Sequence, residues 1–542
     1  MASLSPRSSP LGRPLAAHLL RRATFGPSRQ EITQFASKSP TDAVAILMKQ
    51  TAPSHPPLDL KTGKSWLPAR TSANDYESRL RFYTVYWWMD HLCRSPLSLQ
   101  ERMIYFFHTH FTTMQSRINY ASAMYYQLEL FRQYAFGNIK QLALKLCFDN
   151  AMLMHLDGRY NRVGKPNENF AREFLELYSI GKGPQRGAND YTTYTEQDVR
   201  EAARVFSGFD VDPSFSKHID PDTGLSIGTM NTDGQGEARF HDYGSKTFSS
   251  AFGGKTIHSH GRTPQAIRQE VAEFVDMVFD RPATAQHLCR KLYRFFVYHR
   301  ITPSIENEII KPLAQVMIDN HYELKPVLMK LLSSQHFYEV NASANGIGGT
   351  LIKSPLELFT QVFRYYRIKL PSQNNLEDFY TIWGEVFYRM QDEGMQLYEP
   401  AEVAGYPAYH QGPNYNRNWI TSSTLARRYI LGRSIVTGIR RRGVVPEFIL
   451  DVMAYVKNTQ NVTDPSDAPR MVRELVEDLI PRPVSEERMA YFLEEILLDS
   501  LSPTHWSFEW KDYLQSGNDR GVRRQLELLF AKVMESPEYQ LF

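Results

Sequence analysis

The stretch at residues 166–209 constrains the fold most, because it reads as two amphipathic helices joined by a glycine-bearing loop. At about 100° per residue, the first helix puts Asn169, Arg172, Glu173 and Glu176 on one arc and Phe170, Phe174, Leu177 and Tyr178 on the other. Gly181 and Gly183 supply a stop. The second helix opens on Thr195 with Asp198 three residues later, a capping-box start that satisfies orphan N–H groups. Val199, Ala202, Ala203 and Phe206 then share a face opposite Arg200, Glu201 and Arg204. A polar arc of Asn, Arg and two Glu, without Lys or Gln, has two readings. One is a structural network in which Arg172 pairs with Glu176 at i,i+4. The other is a site with perturbed carboxylates.

The same 3.6-residue periodicity recurs in nearly every apolar segment, and no sustained alternation appears. The expected class is all-α, a large multi-helix domain with a long irregular insertion, 210–262, carrying short β pieces around 238–262. Residues 1–13 are expected to be disordered, and the loop at 340–352 to divide helical lobes 14–340 and 341–542 of one continuous domain. With 542 residues, 42% of them hydrophobic, the chain has material for a large core. A net charge of +3 gives no nucleic-acid footprint. The three cysteines are far apart and fit buried thiols rather than disulfides or a cysteine-based metal site. No apolar run is long enough to span a bilayer, and the N-terminus lacks the apolar core of a secretory signal. Cytoplasmic residence is therefore expected, or periplasmic residence if an export signal has been removed.

Three further segments hold chemistry-bearing side chains. In SLQERMIYFFHTHFTT, His108 and His110 are metal candidates, although residues two apart on a helix point about 200° apart. In the insertion, His241, Asp242 and Lys246 lie within six residues, flanked by Phe240, Tyr243 and Phe248. Phe240 and Phe248 are expected to pin this segment to the helical body, with Glu173 or Glu176 as partner for Lys246, since an unpaired buried ammonium is too costly. The loop at 395–420 offers Tyr406, Tyr415 and Trp419 for substrate binding.

HLLRRATFG at 18–26, FFHTHF at 106–111, the 156–183 and 194–209 motifs, FHDYGSKTF at 240–248, KSPLEL at 353–358 and GPNYNRNWITSSTLARR at 412–428 together resemble the bacterial domain of unknown function 1800 family. The resemblance runs in order along most of the chain. It implies a large, mainly helical domain, brings no established activity, and associates the family with a sulfatase-like partner, a hint towards polymer or sulfo-glycan metabolism. Where the family commonly has Trp-His-Asn-His-Phe, this chain has Phe107-His108-Thr109-His110-Phe111, with both histidines kept.

The residues support three functions. A hydrolase or lyase acting on a glycan-like polymer would pair Glu173 or Glu176 with Asp198 or Asp242, because acid and base roles need carboxylates in different environments, with Lys246 as a further catalytic candidate. Asn169, Arg172 and Arg204 would bind the substrate alongside the aromatic loop. A divalent-metal site would draw on His108, His110, His241 and Glu173. A non-enzymatic scaffold or partner protein would use the same groups as a buried network.

Overall fold

The structure, a computed structural model, describes residues 3–52, 55–68, 74–188, 190–339, 350–439, 448–481 and 483–542. Helix accounts for 56% and strand for 5%, so the protein is mainly α. Five helical segments start on a Ser-Pro or Thr-Pro step: Pro40–Leu47, Pro264–Phe279, Pro303–Ile305, Pro355–Tyr365 and Pro503–Ser516. In each, the hydroxyl side chain accepts from an N–H of the first turn, and proline occupies a position whose N–H would have no partner.

The helix Leu99–His110 is the axis, and every one of its residues is buried. Such a helix needs partners for its polar side chains. Glu101 is ion-paired with Arg132, and Arg102 with Glu357, which lies C-terminal to residues 340–349. Apolar residues from before and after that stretch share one core. The expected lobe boundary itself lies mostly outside the described residues. Removing either member of a buried ion pair costs about 3–5 kcal/mol, which makes the Arg102–Glu357 contact a strong tie between chain halves.

Several recognisable sequence motifs turn out to be fasteners. Arg22 donates to the carbonyls of Phe296 (3.0 Å) and Phe542 (2.9 Å), and Arg21 to that of Asp478. Lys353 donates to the Tyr539 carbonyl at 2.6 Å, and Arg428 to Gln540 Oε1 and the Lys353 carbonyl at 2.9 and 2.7 Å. The chain start is also held. Leu4 is buried, and the N–H groups of Arg7, Gln335 and His336 donate to Ser333, Ser5 and Ser3 carbonyls. The expected disorder of residues 1–13 therefore does not apply to residues 3–13, because backbone pairing with 333–336 anchors them.

Strand is confined to three two-stranded antiparallel ribbons among the described residues. One, Lys246–Thr247 with Thr256–Ile257, falls where short β pieces were expected. The other two, Gln185–Gly187 with Asp190–Tyr191 and Phe209–Asp210 with Thr229–Met230, lie outside 238–262. Both close loops next to the central motifs, where a loop's backbone groups must pair locally.

Candidate active site

The first glutamate helix is not uniform. Asn169–Glu173 is α-helical, and Phe174–Tyr178 continues as a π turn, a form that is rare and frequent at functional sites. Gly181 follows with φ +72°; a Cβ there would sit 2.2 Å from the His287 ring, so glycine lets the turn close on the helix Pro282–Phe296.

Within this turn two carboxylates meet different surroundings. Glu176 is ion-paired with Lys182 and accepts a hydrogen bond from the Tyr194 hydroxyl at 3.3 Å. Glu173 is half-buried, and among the described residues it has no hydrogen-bond donor and no ion-pair partner. Burial, reinforced by the Glu176 charge, pushes its carboxyl up to about 7, against the opposing pull of Lys182 and Arg172. The buried Tyr178 hydroxyl, also without a partner, is pushed up by burial and then by Glu173.

Arg172 does not pair with Glu176. It forks onto Glu196 at 2.6 and 3.0 Å and reaches Glu168 at 3.1 Å, tying together the starts of two helices. The π turn and Lys182 draw Glu176 to another partner. Asn169 is exposed at the helix start, and its N–H donates to Asn167 Oδ1.

The remaining carboxylate candidates are engaged. Asp198 is buried and accepts from the N–H and hydroxyl of both Thr195 (2.8, 2.9 Å) and Ser249 (2.7, 2.7 Å). Its oxygens thus complete the capping box and fasten the insertion. Arg204 donates twice to Asp242 (2.9, 3.1 Å) and once to Glu201 (2.6 Å). Those Arg204 bonds hold Asp242 below its usual range.

Lys246 finds a carboxylate, but it is Glu270 on Pro264–Phe279 at 2.5 Å, not Glu173 or Glu176. The reason is packing: Phe248 and Phe252 seat the ribbon against Phe274 of that helix. Phe240 does not join the core; it is half-buried, with the Arg162 guanidinium 4.3 Å from its ring centroid. His241 belongs to the same knot. Its Nδ1 lies 2.9 Å from the Ser207 carbonyl, and its Nε2 3.4 Å from Glu270 Oε2.

The histidines do not converge. His108 is fully buried, with neither nitrogen hydrogen-bonded, its ring 4.3 Å from Tyr398 and 5.3 Å from Trp88 between centroids. Burial alone drives its pKa down to about 3. His110 faces elsewhere, its Nε2 3.2 Å from the Tyr178 carbonyl and its Nδ1 unpartnered. Among the described residues no group of three or more His, Cys, Asp or Glu side chains is placed to hold a metal. The set His108, His110, His241 and Glu173 therefore does not fit a shared ion.

His110 opens instead on a cavity of about 570 Å³, counted with its mouth. Phe106 and Thr109 of the axial helix, Lys291 and Arg294 of Pro282–Phe296, His299, and Tyr415, Asn416 and Trp419 of the late aromatic loop contribute to its wall. Tyr415 and Trp419 thus lie on a cavity wall. Tyr406 is buried, its oxygen bonded to the Tyr398 N–H (2.9 Å) and the Gln396 carbonyl (3.0 Å), which makes it a loop brace.

Lys291 and Arg294 lie on a helix of ordinary amphipathic spacing and His299 just beyond it, so spacing alone does not single them out. A signal existed: residues 281–305 contain Arg281, Arg290, Lys291, Arg294 and Arg300 and no Asp or Glu. A helix without carboxylates has to neutralise its inward cations elsewhere or leave them available.

Fold and site together define a large, mainly helical protein with two neighbouring carboxylates in unlike surroundings and a separate cation-lined cavity. The chain belongs to the family described as Protein of unknown function (DUF1800), which it matches over residues 18–541. No curated protein and no solved structure matches it. Among the described residues no helix is long and apolar enough to cross a membrane.

Proposed function

We propose that the protein is an enzyme that cleaves a glycan-like polymer, by hydrolysis or elimination, through Glu173 and Glu176. The observation that carries this reading is the contrast within one π turn: an unpartnered Glu173 pushed up to about 7 beside a Glu176 paired with Lys182. A carboxyl that stays protonated near neutrality donates a proton, while an ion-paired neighbour accepts one or steadies developing positive charge. Asp198, Asp242 and Lys246 then support the site through the fold rather than at the reacting atoms. A sulfatase-like protein as functional partner remains part of this proposal.

A non-enzymatic scaffold is the second reading, favoured by the full pairing around Asp198, Asp242 and Lys246. A screen of neutral and acidic polysaccharides with the wild type and Glu173→Gln separates the two. The enzyme reading expects product release that falls by about 10²–10⁴-fold in the variant, with melting unchanged. Release that is absent on every polymer, or equal in the two proteins, overturns it.

A further inference from the structure

The cavity beside His110 carries a charge imbalance that the carboxylate pair does not explain. Arg102 on its wall is neutralised by Glu357. Neighbouring Arg290 is matched by Glu306 at 2.5 and 2.9 Å. Lys291 and Arg294, both half-buried, join no ion pair among the described residues. The Arg294 guanidinium is 4.6 Å from the Tyr415 ring centroid, and its Nε donates to the His299 carbonyl at 3.4 Å. Burial and the Arg294 charge draw the Lys291 ammonium down to about 8, which is the mark of a cation lacking a counter-charge.

Three further wall side chains are more than nine-tenths buried and have an unsatisfied atom. These are His110 Nδ1, His299 Nδ1 and Asn416 Oδ1, on residues 5%, 7% and 8% exposed. Buried polar atoms in folded proteins are nearly always bonded, so such a cluster on one cavity marks partners supplied from outside. Two cations call for an oxyanion, Asn416 Oδ1 calls for a donor such as a hydroxyl, and Phe106 and Trp419 give flat apolar wall.

We infer that this cavity binds an acidic sugar unit, its carboxylate, sulfate or phosphate group between Lys291 and Arg294 and a ring hydroxyl on Asn416. The inference takes its glycan class from the proposed function, but the binding itself does not need Glu173. It makes the cavity a specificity subsite that prefers charged over neutral sugar units.

Calorimetric titration of the full chain with glucuronate, glucose 6-phosphate and glucose tests it. At least one acidic sugar is expected to bind, and glucose to bind about tenfold more weakly or not at all. Lys291→Met, which removes an unpaired charge and leaves the fold intact by its melting curve, is expected to weaken acidic-sugar binding about tenfold or more, and Lys291→Arg to restore it. Glu173→Gln is expected to bind like the wild type, so loss of the catalytic reading would leave this result standing. Equal affinity for glucose and glucuronate, unchanged affinity in Lys291→Met, or no binding of either acidic sugar overturns the inference.

Discussion

Lys246, fully buried, and Lys291, half-buried, both lie beside buried histidines. Their surroundings differ in one respect. Lys246 meets Glu270, the Asp242 carbonyl and the edge of His241, so its knot is closed on itself. Lys291 meets Arg294 and the unpartnered nitrogens of a cavity open at one side. A paired buried charge holds a fold together, whereas an unpaired one costs stability that only a ligand offsets. The two lysines therefore differ in whether the fold supplies their counter-charge, although residue type alone makes them look alike.

The closed knot should break hardest. Glu270→Ala leaves the Lys246 ammonium and His241 buried without their carboxylate, and a loss of about 3–5 kcal/mol is expected in urea unfolding. The double replacement Lys246→Met with Glu270→Leu removes both charges and should recover most of that loss, because desolvation of the pair is removed together with its attraction. A Glu270→Ala loss below about 1 kcal/mol would mean that water reaches the knot and that it is no tie at all.

The same contrast explains what could be read in the sequence. Helix starts were legible because they are local: Thr195 and Asp198 form the capping box their spacing predicts, and Thr263-Pro264 opens a helix. The Ser502-Pro503 start follows the same rule, yet the helix it opens, Pro503–Ser516, went unread. The mainly helical class followed from periodicity. Partners across the fold were not legible. Lys246 was correctly expected to need a carboxylate, but nothing near it in sequence distinguishes Glu270 from Glu173, since the choice depends on Phe248 docking against Phe274. The π turn at Phe174–Tyr178 also lay beyond a fixed 100° rule, and it redirects Glu176 from Arg172 to Lys182. The cavity was half-legible, through Tyr415 and Trp419, because aromatic loops announce themselves while cations on a regular helix do not.

At the open cavity the sign of the effect should reverse. Lys291→Met is expected to stabilise the free protein by about 1 kcal/mol near pH 7, since it removes a cation held without a counter-charge. The pH dependence follows from a folded value of about 8 against an ordinary lysine value near 10.5. Below about 8 the folded chain must carry the unfavourable ammonium, and the penalty is complete; between 8 and 10.5 it fades as the folded state sheds its proton first. The wild type should therefore approach the variant in stability across that window. Arg294, His110, His287 and His410, which also lie around Lys291, are present in both proteins, and the His287 ring, drawn down to about 3, does not titrate there. Parallel pH profiles for wild type and variant would show that Lys291 is solvated like a surface lysine.

The smallest effect is expected at His108, which carries the comparison to its limit: a buried polar side chain with neither a protein partner nor a place on the cavity wall. Burial keeps its imidazole neutral, its pKa near 3, so at pH 7 no charge is lost on replacement. His108→Leu exchanges an unsatisfied ring for an apolar side chain between Tyr398 and Trp88, trading some aromatic contact for relief of two unsatisfied nitrogens. These terms oppose each other, so the melting curve should shift by less than about 1 kcal/mol in either direction. Added zinc or manganese should shift wild type and variant alike, because among the described residues no group of three or more metal-ligating side chains includes His108. A loss of several kcal/mol, or a metal-dependent stabilisation that vanishes with His108→Leu, would show that this histidine is held by a bound partner and belongs with the open cavity rather than with the core.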